Sequence, residues 1–334
     1  VWLSQYDAAQ RQPLTIEFDD ALAMFRATVE RDPDADIIRY FDGRITAGEL
    51  DELSDAFAAG ILDAGFRPGE RVAIYAQNVP QFVIAQLGTW KAGGIAVSAN
   101  PMYRERELEE ILRDSGATVL VALQSLYTDV AAKVVESTDV RTVITTSELE
   151  YQSANSGTLA GVERIECAGT TDMAEMLTAF RGRTVPPAEI GPETVAFLTY
   201  TSGTTGPPKG AMTTHRNVAF NAQTYRDWID IGPDDVVLGV APLFHITGLV
   251  GHIALSLLTG APLVLMYRMD PADTIDTIEK QRATFTVGSI TVFIALMNAP
   301  NASKEALASL TKIYSGGAPI PPSTIAAFEE RFGH

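Results

Sequence analysis

One cysteine in 334 residues, Cys167, has no partner for an internal disulfide and cannot build a cysteine-based zinc cluster. Basic residues are scarce as well: 25 Lys and Arg stand against 42 Asp and Glu, a net charge of -17. Such an acidic chain repels nucleic-acid phosphates and anionic lipid headgroups, so no nucleic acid is expected as a partner. The surplus carboxylates read as surface solvation. The opening VWLSQYDAAQRQPLTIEFDD has no basic flank leading into an apolar core, so it does not read as a secretory signal, and a cytoplasmic location is expected. It also lacks a starting Met.

A long unbroken apolar helix is missing too. No Asp, Glu, Lys or Arg occurs between Asp235 and Arg268, a span longer than the roughly 20 residues that cross a bilayer. Pro242, His245, Gly248, Gly251, His252, Gly260 and Pro262 interrupt it, however. VVLGVA, ITGLVGHIALSLL and APLVLMY therefore read as buried strand, helix and buried strand, with no integral membrane segment.

What is present is an ordinary globular composition, 46% hydrophobic and 20% charged, long enough for two compact units. From Arg71 to Thr146, short β-rich runs alternate with helical patterns. RVAIYA, IAVSA, TVLVAL and RTVITT read as strands; Pro80–Lys91, Glu105–Asp114 and Leu126–Val135 read as helices. Apolar strands between helices imply a mostly parallel sheet covered on both faces. Residues 148–192 are mixed polar, Gly and Pro, and a boundary between sub-domains is placed there, giving 1–190 and 191–334. Residues 1–45 pack on one of the two, the second being an option. The alternation restarts at TVAFLTY (194–200), followed by a helix at Thr214–Trp228 with Thr214 as N-cap. After the apolar span come a helix at Ala272–Gln281, strand TFTVG, a short helix at Thr291–Met297, strand KIYSGG and helix Pro322–Phe332. The fold class is α/β, with two successive layered sub-domains.

The segment LTYTSGTTGPPKGAMTTHRN (198–217) carries most of the chemistry. A buried strand runs into Thr201, Ser202, Gly203, Thr204, Thr205 and Gly206, then Lys209 and Gly210. Glycines let the backbone approach a ligand closely, free N–H groups in such a turn form an anion-binding concavity, and Lys209 adds a point charge for phosphate. The hydroxyls add donors, one of them able to ligate Mg2+. Pro208 stands where a Walker loop has Gly, and Gly210 where it has Ser or Thr, so a P-loop phosphotransferase is excluded. A plain surface turn is the bland alternative.

This segment is similar to the signature loop of the adenylate-forming superfamily, which includes acyl-CoA synthetases, aryl-CoA ligases, beetle luciferases and peptide-synthetase adenylation domains. The resemblance implies a loop closing over the β- and γ-phosphates of ATP. Thr201 takes the position of the hydroxyl associated with Mg2+, and Lys209 that of the loop lysine. PLFHITG (242–248) resembles the element whose aromatic residue and His line the carboxylate and acyl site, which nominates Phe244, His245 and Gly248. SGGAPIPPSTIAAFEERFG (315–333) resembles the element whose backbone lies against adenine and the acyl pocket, which nominates Gly316, Gly317, Ala318 and Pro319. The plain alternatives are a core His and a strand-to-helix turn opened by Pro321 and Pro322.

The implied reaction joins a carboxylic acid to ATP as an acyl-adenylate and transfers the acyl group to CoA. No Phe-Asp-x-Ser element is present, which argues against an amino acid and for an acyl or aryl acid; a medium- or long-chain fatty acid is the expectation. The family's Tyr-Gly-x-Thr-Glu element, ribose-binding Asp, hinge and C-terminal Lys are absent, so a fragment with little activity alone is expected. A catalytically dead acyl- or nucleotide-binding module is the alternative from another class. A homodimer is left open. His215 and Arg216 are read as capping or solvent-facing residues, His252 as a core residue, and Trp90 and Met102 as packing residues.

Overall fold

The computed structural model describes residues 4, 6, 14–201 and 208–333. In chain order the elements are α1 (Ala21–Arg31), β1 (Asp36–Tyr40), β2 (Gly43–Thr46), α2 (Ala47–Asp63), β3 (Arg71–Tyr75), α3 (Pro80–Lys91), β4 (Ile95–Ala99), α4 (Glu105–Ser115) and β5 (Val119–Leu123). Then come α5 (Gln124–Asp129), β6 (Thr142–Thr146), β7 (Thr171–Asp172), α6 (Met173–Ala179), β8 (Val195–Thr201), β9 (Lys209–Thr214), α7 (His215–Ile229) and β10 (Val237–Gly239). The last are α8 (Ile246–Gly248), a π-helical segment (Leu249–Ala254), α9 (Leu255–Thr259), β11 (Leu263–Leu265), α10 (Pro271–Gln281), β12 (Phe285–Gly288), α11 (Ile290–Met297), β13 (Lys312–Ser315) and α12 (Pro322–Phe332).

Two mostly parallel sheets result, the α/β class anticipated from the alternation. The first has seven strands in the order β7-β6-β5-β3-β4-β8-β9, and the second six in the order β13-β12-β10-β11-β1-β2. Among the described residues, only β9 against β8 and β2 against β1 run antiparallel. Sheet membership cuts across residue 190: β8 and β9 join the first sheet through β4, with Ala96 opposite Phe197. β1 joins the second, with Ile38 opposite Leu263. Strand partners are chosen by buried faces brought together in space, which the linear order of strands does not record.

The largest core cluster draws on both sheets and on α2 and α3. Helix α3 is buried from Pro80 through Trp90, with Gln81, Gln86 and Thr89 enclosed among its apolar residues. Its Pro80 occupies the first turn, where the missing N–H costs nothing. Thr214 caps α7: its hydroxyl accepts the Asn217 amide at 3.2 Å while the Asn217 side chain accepts that of Thr214. The apolar span from 236 to 267 folds as β10, the helical run α8 to α9, and β11, and among the described residues no helix is long and apolar enough to cross a membrane.

Some local expectations give way. The helix expected over Leu126–Val135 stops at Asp129, because Val130 leaves the helical region at φ -130° and two 3-10 turns follow. Met102 is 68% exposed rather than a packed core residue. His215 is buried rather than solvated, at 1% exposure, edge-on to Trp90 with ring centroids 5.2 Å apart. His252 is fully buried, as expected, and its Nε2 accepts the Ala241 amide at 3.2 Å.

Burial pushes both histidines down to about 4 from the ordinary 6.5. Between those values the unfolded chain binds protons that the folded chain refuses, so stability is fully present above pH 6.5 and drains as pH falls toward 4. Each histidine contributes a slope of up to about 1.4 kcal/mol per pH unit in that window. Urea midpoints at pH 7 and pH 5 will show the loss, and His215→Phe will flatten it; equal slopes in both proteins would contradict this assignment.

Candidate functional site

The strands on either side of the hydroxyl- and glycine-rich segment, β8 and β9, form a hairpin. β8 and β9 pair antiparallel from Val195 opposite Thr214 to Thr201 opposite Lys209. The two residues singled out as hydroxyl ligand and phosphate cation are thus cross-strand neighbours at the mouth of the turn, both exposed. Cβ atoms of directly opposed residues lie roughly 4.5–5.5 Å apart, close enough for both to reach one phosphate. Ser202, Gly203, Thr204, Thr205 and Gly206 lie outside the described residues.

The strands of this hairpin are anchored from several sides. The Trp90 indole N–H donates to the Ala196 carbonyl at 2.7 Å, fixing the start of β8 to α3. Tyr200 donates its hydroxyl to Asp114 at 2.6 Å, and burial with the Asp114 carboxylate raises the phenol well above its ordinary range. Gly210 lies opposite Tyr200, and a Cβ there would sit 3.1 Å from the ring, so the glycine leaves the aromatic its place across the strand.

The second candidate element leaves β10. His245 is the N-cap of α8; its Nδ1 accepts the Thr247 amide at 3.3 Å, and the ring is exposed. Phe244 beside it is half-buried against the main core. Gly248 has ordinary helical angles, so its reason is closeness: a Cβ would fall 2.2 Å from the Pro242 carbonyl oxygen. The sequence nominated it as a pocket residue, and the geometry gives it a packing reason as well.

The third element leaves β13. Gly316 donates to the Gly288 carbonyl at 3.2 Å and has open space where a Cβ would stand. Gly317 sits at φ +86°, a conformation that favours glycine. Ala318 and Pro319 are exposed. In the sheet only β12 separates β13 from β10, so the two exits lie about 10 Å apart on one edge. Between them, at the exit of β12, are two exposed hydroxyls that the sequence reading passed over, Ser289 and Thr291, 2.6 Å apart. Their signal was weak: a Ser and a Thr at a strand-to-helix turn are common.

Magnesium is implied by the resemblance. The described residues offer the Thr201 hydroxyl but, among them, no group of three His, Cys, Asp or Glu able to hold a metal.

Two parallel-rich sheets, one ending in the β8–β9 hairpin and the other bearing glycine- and histidine-containing strand exits, define an α/β protein. The chain belongs to the AMP-binding enzyme family, whose model matches residues 25–334. A long-chain-fatty-acid–CoA ligase of Bacillus subtilis is 30% identical over 99% of this chain and 61% of its own length. The chain thus spans about three-fifths of the length of the curated relatives it matches. Among solved structures, ATP-bound MatB from Rhodopseudomonas palustris superposes with a TM-score of 0.79 at 25% identity, over 94% of this chain and 58% of that one. A benzoate CoA ligase from Burkholderia xenovorans gives 0.80 at 25% identity, over 95% and 59%.

Proposed function

We propose that the protein to which this chain belongs activates a carboxylic acid with ATP and passes the acyl group to CoA. The observation that carries the proposal is the hairpin: Thr201 opposite Lys209 flanks the hydroxyl-rich turn in a chain of the AMP-binding family. In the first step a carboxylate oxygen attacks the α-phosphorus, the bond to the bridging oxygen breaks, and pyrophosphate leaves. In the second, the CoA thiolate attacks the acyl carbon and AMP leaves. Two anions must meet in the first step, so cations and fixed donors around the phosphates lower its barrier. Lys209 supplies the charge, and the Thr201 to Gly206 turn supplies hydroxyl and amide donors, with Mg2+ accompanying the nucleotide. Phe244, His245, Gly248 and Gly316 form the acid-side wall; Gly317, Ala318 and Pro319 face the nucleotide base.

For the acid we favour a medium- or long-chain fatty acid, supported by the names of the relatives and by the apolar neighbours of His245. An aryl acid is the second reading, favoured by the likeness to the benzoate CoA ligase. The test is carboxylate-dependent exchange of labelled pyrophosphate into ATP with fatty, aryl and amino acids, using this chain and the longest chain that carries it. Exchange with one acid class is the expected result and names the substrate. Exchange with none by a folded protein would overturn the proposal in favour of a binding module.

A further inference from the structure

We propose that Asn78 is a positioning residue that holds the β10 exit, and with it Phe244 and His245, in the geometry the acid pocket requires. The identity of that pocket rests on the function proposed above; the clamp itself does not. Asn78 lies in the turn between β3 and α3, on the first sheet, and is 7% exposed. Its side chain reaches the second sheet. Nδ2 donates to the carbonyls of Gly239 at 3.3 Å and Ala241 at 3.1 Å, while Oδ1 accepts the Leu243 amide at 2.9 Å. Its own amide donates to the Tyr267 carbonyl at 3.4 Å, after β11.

Three of the side-chain amide's hydrogen bonds thus fall on one stretch, residues 239–243, directly before Phe244. That stretch needs them. β10 ends at Gly239, and Pro242 has no N–H to give, so no ladder serves the loop. The loop is otherwise tied by the Val240 amide on the Leu238 carbonyl, the Ala241 amide on His252 Nε2 and the His245 amide on the Pro242 carbonyl. Buried backbone groups without partners are costly, so the loop keeps this shape only while Asn78 supplies both donors and an acceptor. Aspartate has the same shape but no donor and sets a carboxylate against two carbonyl oxygens. Gly248 packed on the Pro242 carbonyl passes the loop's position on to α8, whose N-cap is His245.

Asn78→Asp and Asn78→Ala would be compared with Tyr40→Phe in the longest chain carrying these residues. Tyr40 donates to the Glu148 carbonyl at 3.1 Å, bridging the same two sheets without touching the β10 exit. The expected result is a KM for the acid raised at least tenfold by Asn78→Asp, with the KM for ATP within twofold and Tyr40→Phe leaving both unchanged. Hydrogen exchange, which needs no activity, should speed up at least tenfold at the Leu243 amide in both Asn78 variants and stay unchanged in Tyr40→Phe. Unaltered exchange at Leu243 overturns the clamp; faster exchange with an unchanged KM for the acid, or with both KM values rising together, overturns the positioning role. If the parent protein turns over no acid, the positioning role falls together with the function, while the exchange result still decides the clamp.

Discussion

Lys209→Ala slows acid-dependent pyrophosphate exchange by about 10²–10³-fold, the effect of removing one fixed charge-stabilising donor, roughly 2.7–4 kcal/mol. The side chain is exposed on β9, the edge strand of the first sheet, so its loss takes nothing from the core. Thermal unfolding of the variant should therefore match the parent. The expectation rests on the position opposite Thr201: in the proposed function, cation and hydroxyl address one triphosphate. Lys209→Arg should recover only part of the rate, because a planar fork replaces a compact point charge. Near-parental exchange by the alanine variant would remove Lys209 from the phosphate site.

Trp90→Ala costs about 3–5 kcal/mol of stability, the usual range for emptying a large aromatic site in a core. Trp90 is fully buried, its indole N–H holds the Ala196 carbonyl, and its ring meets that of His215 edge-on. The variant loses that volume, leaves a buried carbonyl without its donor, and takes the wall from a buried imidazole. Trp90→Phe keeps most of the volume and loses mainly the hydrogen bond, so a smaller loss of about 1–3 kcal/mol is expected. Urea unfolding of the three proteins checks the order. Equal losses in the two variants would mean that the hydrogen bond, rather than the ring's volume, dominates. Because Trp90 fixes the start of the strand that ends at Thr201, partial loss of exchange should accompany the loss of stability.

Much of the fold was legible in the sequence for a local reason. Strands such as RVAIYA and TVLVAL are short apolar runs between helical patterns, and burial on both faces in a parallel sheet demands that composition. Thr214 was readable as a cap because the reciprocal bonds to Asn217 span three residues. The strand Lys209–Thr214 was not readable: KGAMTT has two small residues and only one large apolar one, and its pairing with β8 supplies what its own pattern lacks. Hairpin β1–β2 was missed as well, since its value comes from β11, more than 200 residues onward.

The sequence by itself determined the α/β alternation, and it nominated the turn from Thr201 to Lys209 and the glycines at the strand exits. These depend on residues within one element or one turn, whose spacing is written directly in the chain. The tertiary structure alone decided which sheet each strand joins, that His215 is enclosed rather than solvated, and that Thr201 faces Lys209 across a hairpin. It also decided that Asn78 meets the Ala241 carbonyl 163 positions away. Contacts at that separation arise from how buried faces and unsatisfied backbone groups find one another, and no local pattern encodes them.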